Sequence, residues 1–215
     1  MKNSCMKINF FNNFKLAKKL ESEVVGRCAT VIDLGCGKAS PVKFFSGRLK
    51  YSLGVDSYPP SITASAKAGI HSEYLNSDIL EACAKLADNS FDGALALDAI
   101  EHFKKAEGVK LLKEMERIAK KIVIVYTPNG FLNQTVLDNN QAQEHLSGWS
   151  AAEMKSLGFK VYGMSGLKFL RKELGEIKYW PRPFWLLISR LSQFPAYYFP
   201  AVAFQILCVK KLNKI

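Results

Sequence analysis

Two glycines close behind an apolar run are the first residues whose types and spacing could support chemistry. Gly35 and Gly37 follow the run TVIDL, and Asp33 lies two residues before the first of them. Because glycine lacks a Cβ, a ligand can approach the backbone closely, and the Asp33 carboxylate would suit a cationic group while repelling a diphosphate. Ser40 stands where the dinucleotide pattern G-x-G-x-x-G needs its third glycine, and no G-x-x-x-x-G-K-[ST] phosphate loop occurs. The pattern favours a cationic ligand, although two glycines alone also fit an ordinary turn between strand and helix.

Acidic residues recur after the next three strand-like runs. Asp56 ends the run YSLGVD, 21 residues beyond Gly35, and Asp78 and Asp98 follow the third and fourth runs. Rossmann-like folds place an acid about 20 residues on, where it accepts hydrogen bonds from ribose hydroxyls. In a chain of net charge +11, this placement predicts a cationic ligand that carries a ribose. Each aspartate taken alone could also be a solvated strand-end residue or a helix N-cap.

The elements that must position these residues alternate between short apolar strands and amphipathic helices. Near-continuous β-branched runs are typical of parallel strands covered on both faces, so the sequence predicts a doubly wound α/β sheet. The clearest helix is Glu107–Lys120, where apolar residues recur at helical spacing, and a shorter helix is expected at Ala151–Leu157. The predicted strands are Thr30–Leu34, Tyr51–Val55, Ser72–Leu75, Gly93–Leu97, Ile122–Tyr126, Phe159–Tyr162 and Phe204–Val209.

Four motifs, taken in order, resemble the class I S-adenosylmethionine-dependent methyltransferases. They are VIDLGCG, GVDS, NSDIL and FDGALALDAIEHF, and the resemblance covers about residues 25–165. It implies a Rossmann-like, mostly parallel sheet of seven strands with helices on both faces and an antiparallel last strand, for which FQILCV is the candidate. It also implies S-adenosylmethionine as the cofactor and S-adenosylhomocysteine as the product. One position departs from the family, because Ala39 stands where many members have a third glycine.

The resemblance also implies roles for single residues. The acid and glycines of the first motif would hold the methionine end of the cofactor, and Asp56 would bind the ribose hydroxyls. Asp78 would accept from the adenine amino group, with the Ile79 backbone beside the ring. Asp98 and Ala99 would lie under the cofactor, where the fourth strand opens toward the acceptor. The expected cofactor-binding residues are Asp33, Gly35, Cys36 (a small apolar filler), Gly37, Asp56, Ser57, Asp78, Ile79, Asp98 and Ala99.

Two histidines are candidates for contact with the acceptor. His145 lies in EHLSGW, which resembles a segment of small-molecule and glycan-pathway methyltransferases; it could accept a proton or anchor its loop. His102, the second candidate, could instead orient the helix that follows it. Methyl transfer from a sulfonium depends mainly on positioning, and a general base is needed only for a hydroxyl or a protonated amine. No cluster of His, Cys or Asp has metal-ligand spacing along the chain, so no metal is expected.

These features favour an enzyme that methylates an oxygen or nitrogen, less readily a carbon, of a small-molecule, glycan or lipid-linked acceptor. A non-catalytic module that binds the cofactor is the alternative, but such a relative would be expected to lose the acids or glycines that are intact here. A nucleic-acid methyltransferase would fit the basic charge. Against it, no N-P-P-Y-like sequence follows the fourth strand and no RNA-binding module is appended.

Length and composition predict one domain. The chain has 215 residues, 48% of them hydrophobic, which is enough for one buried core. Residues 1–24 are expected to form an N-terminal helical segment and show no signal-peptide pattern. Five scattered cysteines predict reduced thiols in a cytoplasmic protein.

Residues 177–203 are too apolar for an ordinary surface loop. Four prolines and Arg190 interrupt the segment, so it does not predict a membrane-spanning helix. We expect a helical insertion before the last strand, buried over the active site as a lid. The alternative is an interfacial segment that makes weak peripheral contact with an anionic membrane. There, Trp180, Phe184 and Trp185 would enter the lipid, and Lys178, Arg182 and Arg190 would meet the headgroups.

Overall fold

Seven strands in one sheet form the centre of the computed structural model, which describes residues 15–134, 143–172 and 175–214. The strands are β1 (Thr30–Leu34), β2 (Tyr51–Asp56), β3 (Glu73–Asn76), β4 (Phe91–Leu97), β5 (Ala119–Pro128), β6 (Lys160–Leu167) and β7 (Ala203–Lys211). Their spatial order is β3-β2-β1-β4-β5-β7-β6. β1 to β5 are parallel, and β7 is antiparallel to both β5 and β6. The predicted Rossmann-like sheet with an antiparallel last strand is confirmed.

Helices pack on both faces of this sheet. They are α1 (15–24), α2 (Pro59–Lys67), α3 (Ile79–Lys85), α4 (Lys105–Ile118), α5 (Ala151–Ser156), α6 (Arg182–Leu191) and α7 (Gln193–Tyr198). Successive strand residues point to opposite faces. Val123 therefore packs into a core formed with α3, α4 and α5, whereas Ile122 and Ile124 pack into a second core with α1. The two cores pack against opposite faces of the central strands. They therefore fix the positions of the strand ends at which the acidic residues lie.

The clearest predicted helix, Glu107–Lys120, is displaced by two residues, because α4 begins at Lys105. α4 ends at Ile118 rather than Lys120, because Ala119 is already extended and pairs with Phe91 of β4. Helical spacing of apolar residues cannot reveal this change, since the pairing partner lies elsewhere in the chain. β1 has the predicted bounds, and the other strands differ only at their ends.

The insertion before the last strand is helical, but the expected buried lid is wrong. α6 and α7 turn small residues toward β6: Ser189 and Ala196 are buried, and a Cβ at Gly163 would collide with the backbone of Ala196. Because the small residues face inward, the large side chains point outward; Trp180 is 82% and Phe194 is 73% exposed. No helix within the described part of the chain is long and apolar enough to cross a membrane.

Candidate active site

The glycine loop after β1 adopts a backbone that glycine alone readily supplies. Gly35 and Gly37 have φ angles of +79° and +56°, in the left-handed region that side chains disfavour. A Cβ at Gly35 would lie 2.7 Å from the Cβ of Ala99, whereas one at Gly37 would meet no atom within 4 Å. The first glycine thus permits close packing of β1 against the end of β4, and the second leaves open space above the loop.

Asp56 ties the end of β2 to this loop. Its Oδ2 accepts a hydrogen bond from the Gly37 amide at 2.9 Å, and its Oδ1 accepts one from the Tyr58 amide at 2.8 Å. The side chain is half-buried. Because each carboxylate oxygen has two lone pairs, both oxygens keep capacity for a further donor such as a ribose hydroxyl.

Asp33 lies beneath the loop rather than on the surface that a ligand would touch. It is fully buried, and its Oδ2 accepts a hydrogen bond from the Ser40 hydroxyl at 2.6 Å. The Nε2 of His71, a residue that the sequence analysis did not single out, lies 3.3 Å from the same oxygen. Asp33 therefore stabilises the loop from below through its Oδ2 atom, whereas its buried Oδ1 atom has no hydrogen-bond partner within the described part of the chain.

Asp78 serves as the N-cap of α3, the alternative that the sequence left open. Its Oδ1 accepts hydrogen bonds from the amides of Leu80 and Glu81, at 2.8 and 3.1 Å. The next residue, Ile79, is buried, and its Cδ1 would lie 3.5 Å from a Cβ at Gly35. Asp78 can cap the helix and still contact a ligand, because the residue remains exposed.

A cavity of about 570 Å³ opens above these strand ends. Nine of the ten predicted cofactor-binding residues line it, and Asp33 is the exception. Burial raises the pKa of the Cys36 thiol, which fits the expected filler role because a protonated thiol behaves as a small apolar group. The predicted residues on the wall are Gly35, Cys36, Gly37, Asp56, Ser57, Asp78, Ile79, Asp98, Ala99 and His102.

Two carboxylates follow the end of β4, next to the part of the cavity that lies beyond the glycine loop. Asp98 has a φ angle of +51° and accepts a hydrogen bond from Gln205 Nε2 at 3.2 Å. Glu101 is buried and accepts a hydrogen bond from the Thr127 hydroxyl at 3.0 Å. Asp98 is exposed at the cavity wall, whereas Glu101 is buried, and loss of hydration raises the pKa of both carboxyls. Left-handed non-glycine residues often mark functional sites.

The two histidines lie against each other beside these carboxylates. Their rings form an edge-to-face pair with centroids 5.0 Å apart. His102 Nδ1 lies 3.0 Å from the Glu144 carbonyl oxygen, and His145 Nδ1 lies 2.7 Å from that of Leu132. Burial lowers the pKa of both rings, so each is neutral near pH 7 and donates through Nδ1. Of the two histidines, His102 is among the residues that line the cavity and His145 is not.

The segment containing His145 is anchored by a tryptophan. Trp149 is fully buried, and the Lys105 ammonium lies 3.5 Å from the centroid of its ring. The amides of Leu146 and Ser147 donate to the Glu101 carbonyl at 2.9 and 3.0 Å. These contacts place His145 against His102, which lies between it and the cavity. They explain the H-x-S-G-W pattern as a structural anchor.

Glu101, His102 and His145 form a cluster that the sequence analysis missed. Each offers one ligand atom, and these three atoms lie within 4.8 Å of one another. The expectation of no metal rested on spacing along the chain, which cannot detect this group, since α4, β5 and the residues after β5 separate the two histidines. The available signal was the Glu-His pair at the end of β4 combined with a histidine after β5.

Comparison with known proteins agrees with this geometry. Residues 32–127 match a family model described as a methyltransferase domain. The matched stretch contains the glycine loop and the strand ends that carry Asp56, Asp78 and Asp98. No curated protein sequence matches the chain.

Several solved structures share the fold. A SAM-dependent methyltransferase from Archaeoglobus fulgidus is 17% identical, with a TM-score of 0.60 over 93% of this chain and 94% of that one. The N-methyltransferase NodS from Bradyrhizobium japonicum WM9 is 8% identical, with a TM-score of 0.60 over 97% and 98%. The 1,6-didemethyltoxoflavin-N1-methyltransferase of Burkholderia thailandensis, solved with 1,6-didemethyltoxoflavin and S-adenosylhomocysteine, is 14% identical, with a TM-score of 0.57 over 94% and 79%. At these identities the TM-scores show a common fold and do not identify the acceptor.

Proposed function

We propose that the chain is a class I S-adenosylmethionine-dependent methyltransferase and that it methylates an oxygen or nitrogen atom of a small-molecule acceptor bound beside His102. One observation supports this proposal. Nine expected cofactor residues line one end of a cavity, and His102 lines the other end of the same cavity. A glycan or lipid-linked acceptor belongs to the same proposal, provided that its reactive end enters this cavity.

The chain's own residues would hold the cofactor along the wall of the cavity. The open space above Gly37 suits the methionine end, and the Asp56 carboxylate would accept from the ribose hydroxyls. Asp78 and Ile79 would face the adenine. When bound, the cofactor supplies a methyl group on a positively charged sulfur, a good leaving group, so alignment of the acceptor is the protein's main contribution.

His102 would contact the acceptor. Its Nδ1–H is oriented by the Glu144 carbonyl, so the Nε2 lone pair remains to accept a hydrogen bond or a proton. A hydroxyl or ammonium acceptor must lose a proton on methylation, and a neutral imidazole at this position can take it. His145, which does not line the cavity, would support the His102 ring from behind.

Methyl transfer from labelled cofactor to a small-molecule extract, followed by mass spectrometry of the labelled product, tests this function. We expect label in a small molecule with the wild-type protein and none with a folded Gly35→Val variant. Label transferred only to nucleic acid would overturn the proposed acceptor class. Binding of S-adenosylhomocysteine without transfer to any fraction would favour the non-catalytic alternative.

We also propose that the protein contacts an anionic lipid surface through α6 and α7. Six large apolar side chains of this segment are more than half exposed: Phe184, Leu187, Leu191, Phe194, Tyr198 and Phe199. Large exposed apolar side chains grouped in one segment are typical of interaction sites. Lys178 and Arg182 are exposed beside it, and the chain carries a net charge of +11. Aromatic residues with basic neighbours are typical of segments that lie in the headgroup region of anionic membranes.

A further inference from the structure

We infer that Glu101, His102 and His145 bind one divalent first-row transition-metal ion at the acceptor end of the cavity. The three ligand atoms, two imidazole nitrogens and one carboxylate oxygen, lie within 4.8 Å of one another. Two histidines and one carboxylate are an established ligand set for zinc and for non-haem iron. Ligands bound at about 2.1 Å lie roughly 3 to 3.5 Å apart, so closure on an ion requires only small side-chain movements.

Both imidazoles are already oriented as metal ligands. Histidines that bind metals usually donate their second ring N–H to a carbonyl or carboxylate, which fixes the tautomer. Here the Nδ1 atoms of His102 and His145 point to the carbonyls of Glu144 and Leu132, at 3.0 and 2.7 Å. The remaining lone pair of each ring is therefore on Nε2, and the two rings lie in contact.

Glu101 supplies the carboxylate oxygen that such a site needs. It is 2% exposed, and the Thr127 hydroxyl holds one of its oxygens. No ion pair among the described residues includes Glu101, and another carboxylate, Asp98, is close enough to act on it electrostatically. Buried carboxylates are usually paired with a cation or bound to a metal, so an ion here would balance the charge.

The free positions of the ion would face the cavity, because His102 and Asp98 both line it. Imidazole ligands favour manganese, cobalt or zinc over magnesium, which prefers oxygen. The use of the ion to hold an oxygen atom of the acceptor rests on the proposed function, whereas the ion site itself does not. With the ion bound, His102 Nε2 is a ligand, and the ion rather than the imidazole contacts the acceptor.

Metal binding to the chelator-treated, full-length protein tests the proposal. We expect Co²⁺ titration to saturate at one ion per chain, with a visible absorption band of histidine-ligated cobalt. His145→Gln and Glu101→Gln should each weaken binding by at least about tenfold. Glu107→Gln, which removes a carboxylate from the same cavity wall, should bind as tightly as the wild type. Circular dichroism confirms that each variant is folded.

Two results would overturn the inference: no saturable Co²⁺ or Mn²⁺ binding by the wild-type protein, or equal binding by wild type and folded His145→Gln. Crystals soaked in Mn²⁺ give a check that needs no variant, since an anomalous peak should lie between the three side chains and nowhere else in the cavity. S-adenosylhomocysteine binding, measured without metal, separates the two proposals. If S-adenosylhomocysteine does not bind, the cofactor site is contradicted and the ion site is unaffected. If the metal does not bind, the ion site is contradicted and the cofactor site is unaffected.

Discussion

The cofactor side of the sheet and the α6–α7 segment are both conspicuous in the sequence, but they differ in how far the sequence determines them. On the cofactor side, glycines and acids stand directly at the ends of β1, β2 and β4, so their place along the chain fixes their place in the cavity. In α6–α7 the prediction rested on apolar composition, which suits a buried lid and an exposed face equally. Local chemistry at strand ends therefore predicts geometry, whereas apolar content does not predict direction.

The largest effect is expected at Gly35, where the cofactor side is most tightly constrained. A Gly35→Val side chain would meet the Cβ of Ala99, and its positive φ angle disfavours a β-branched residue. We expect no measurable binding of S-adenosylhomocysteine by isothermal titration. Gly47→Val is the matched control, because a Cβ at Gly47 meets no atom within 4 Å. Normal binding by folded Gly35→Val would show that the loop does not contact the cofactor.

Two tryptophans, one in each region, should differ in their contribution to the free energy of unfolding. Trp149 is fully buried, whereas Trp180 is 82% exposed. Trp149→Ala should lower the free energy of unfolding by about 3–5 kcal/mol, as expected for truncation of a buried aromatic. Trp180→Ala should change it by no more than about 0.5 kcal/mol. Urea denaturation followed by circular dichroism measures both, and a large loss for Trp180→Ala would mean that α6–α7 is packed differently.

Asp56 should have a moderate effect on cofactor binding. Asp56→Ala removes a charged acceptor from the ribose hydroxyls and from the Gly37 amide, so we expect affinity for S-adenosylhomocysteine to fall by about 1–3 kcal/mol. Asp88→Ala, which removes an exposed carboxylate paired with Arg117 outside the cavity, should leave affinity unchanged. Unaltered titration curves for Asp56→Ala would contradict the assignment of β2 to ribose binding.

Most of the fold and of the cofactor wall could be predicted because each feature is local. A strand followed by glycines or an acid carries its own signal, and the parallel sheet gathers those ends at one edge. The acceptor end could not be predicted in this way. Glu101, His102 and His145 meet only through the loop that Trp149 anchors, so neither the cluster nor the inward place of His145 is visible in linear spacing.

The sequence analysis also did not predict which faces of α6 and α7 point to solvent, and the reason is different. Its small residues, such as Ser189 and Ala196, pack against β6, and this face is recognisable only when the helix boundaries are known. Prolines at four positions obscure those boundaries in the sequence. Helical periodicity applied to residues 182–191 alone would have separated the small face from the large one.

The smallest expected effect concerns membrane contact, and it tests the exposed region directly. In a vesicle sedimentation assay we expect the wild-type protein to bind anionic vesicles weakly, to be released as salt rises, and to bind neutral vesicles little. Each basic residue near an anionic surface contributes about 1 kcal/mol, and salt screens this attraction. The double substitution Trp180→Ser and Phe194→Ser should weaken binding roughly tenfold, because both side chains would lose their contact with lipid.

The matched control for this assay is Leu75→Ser, which also removes an exposed apolar side chain but lies on β3, at the opposite edge of the sheet from β6. If contact occurs through α6–α7, the control should sediment like the wild type. Equal sedimentation of the double variant would show that the basic charge alone attracts the lipid and that the apolar face serves another purpose. Tight binding to neutral vesicles would instead mean that apolar insertion dominates over charge, which would contradict the weak, salt-sensitive contact expected here.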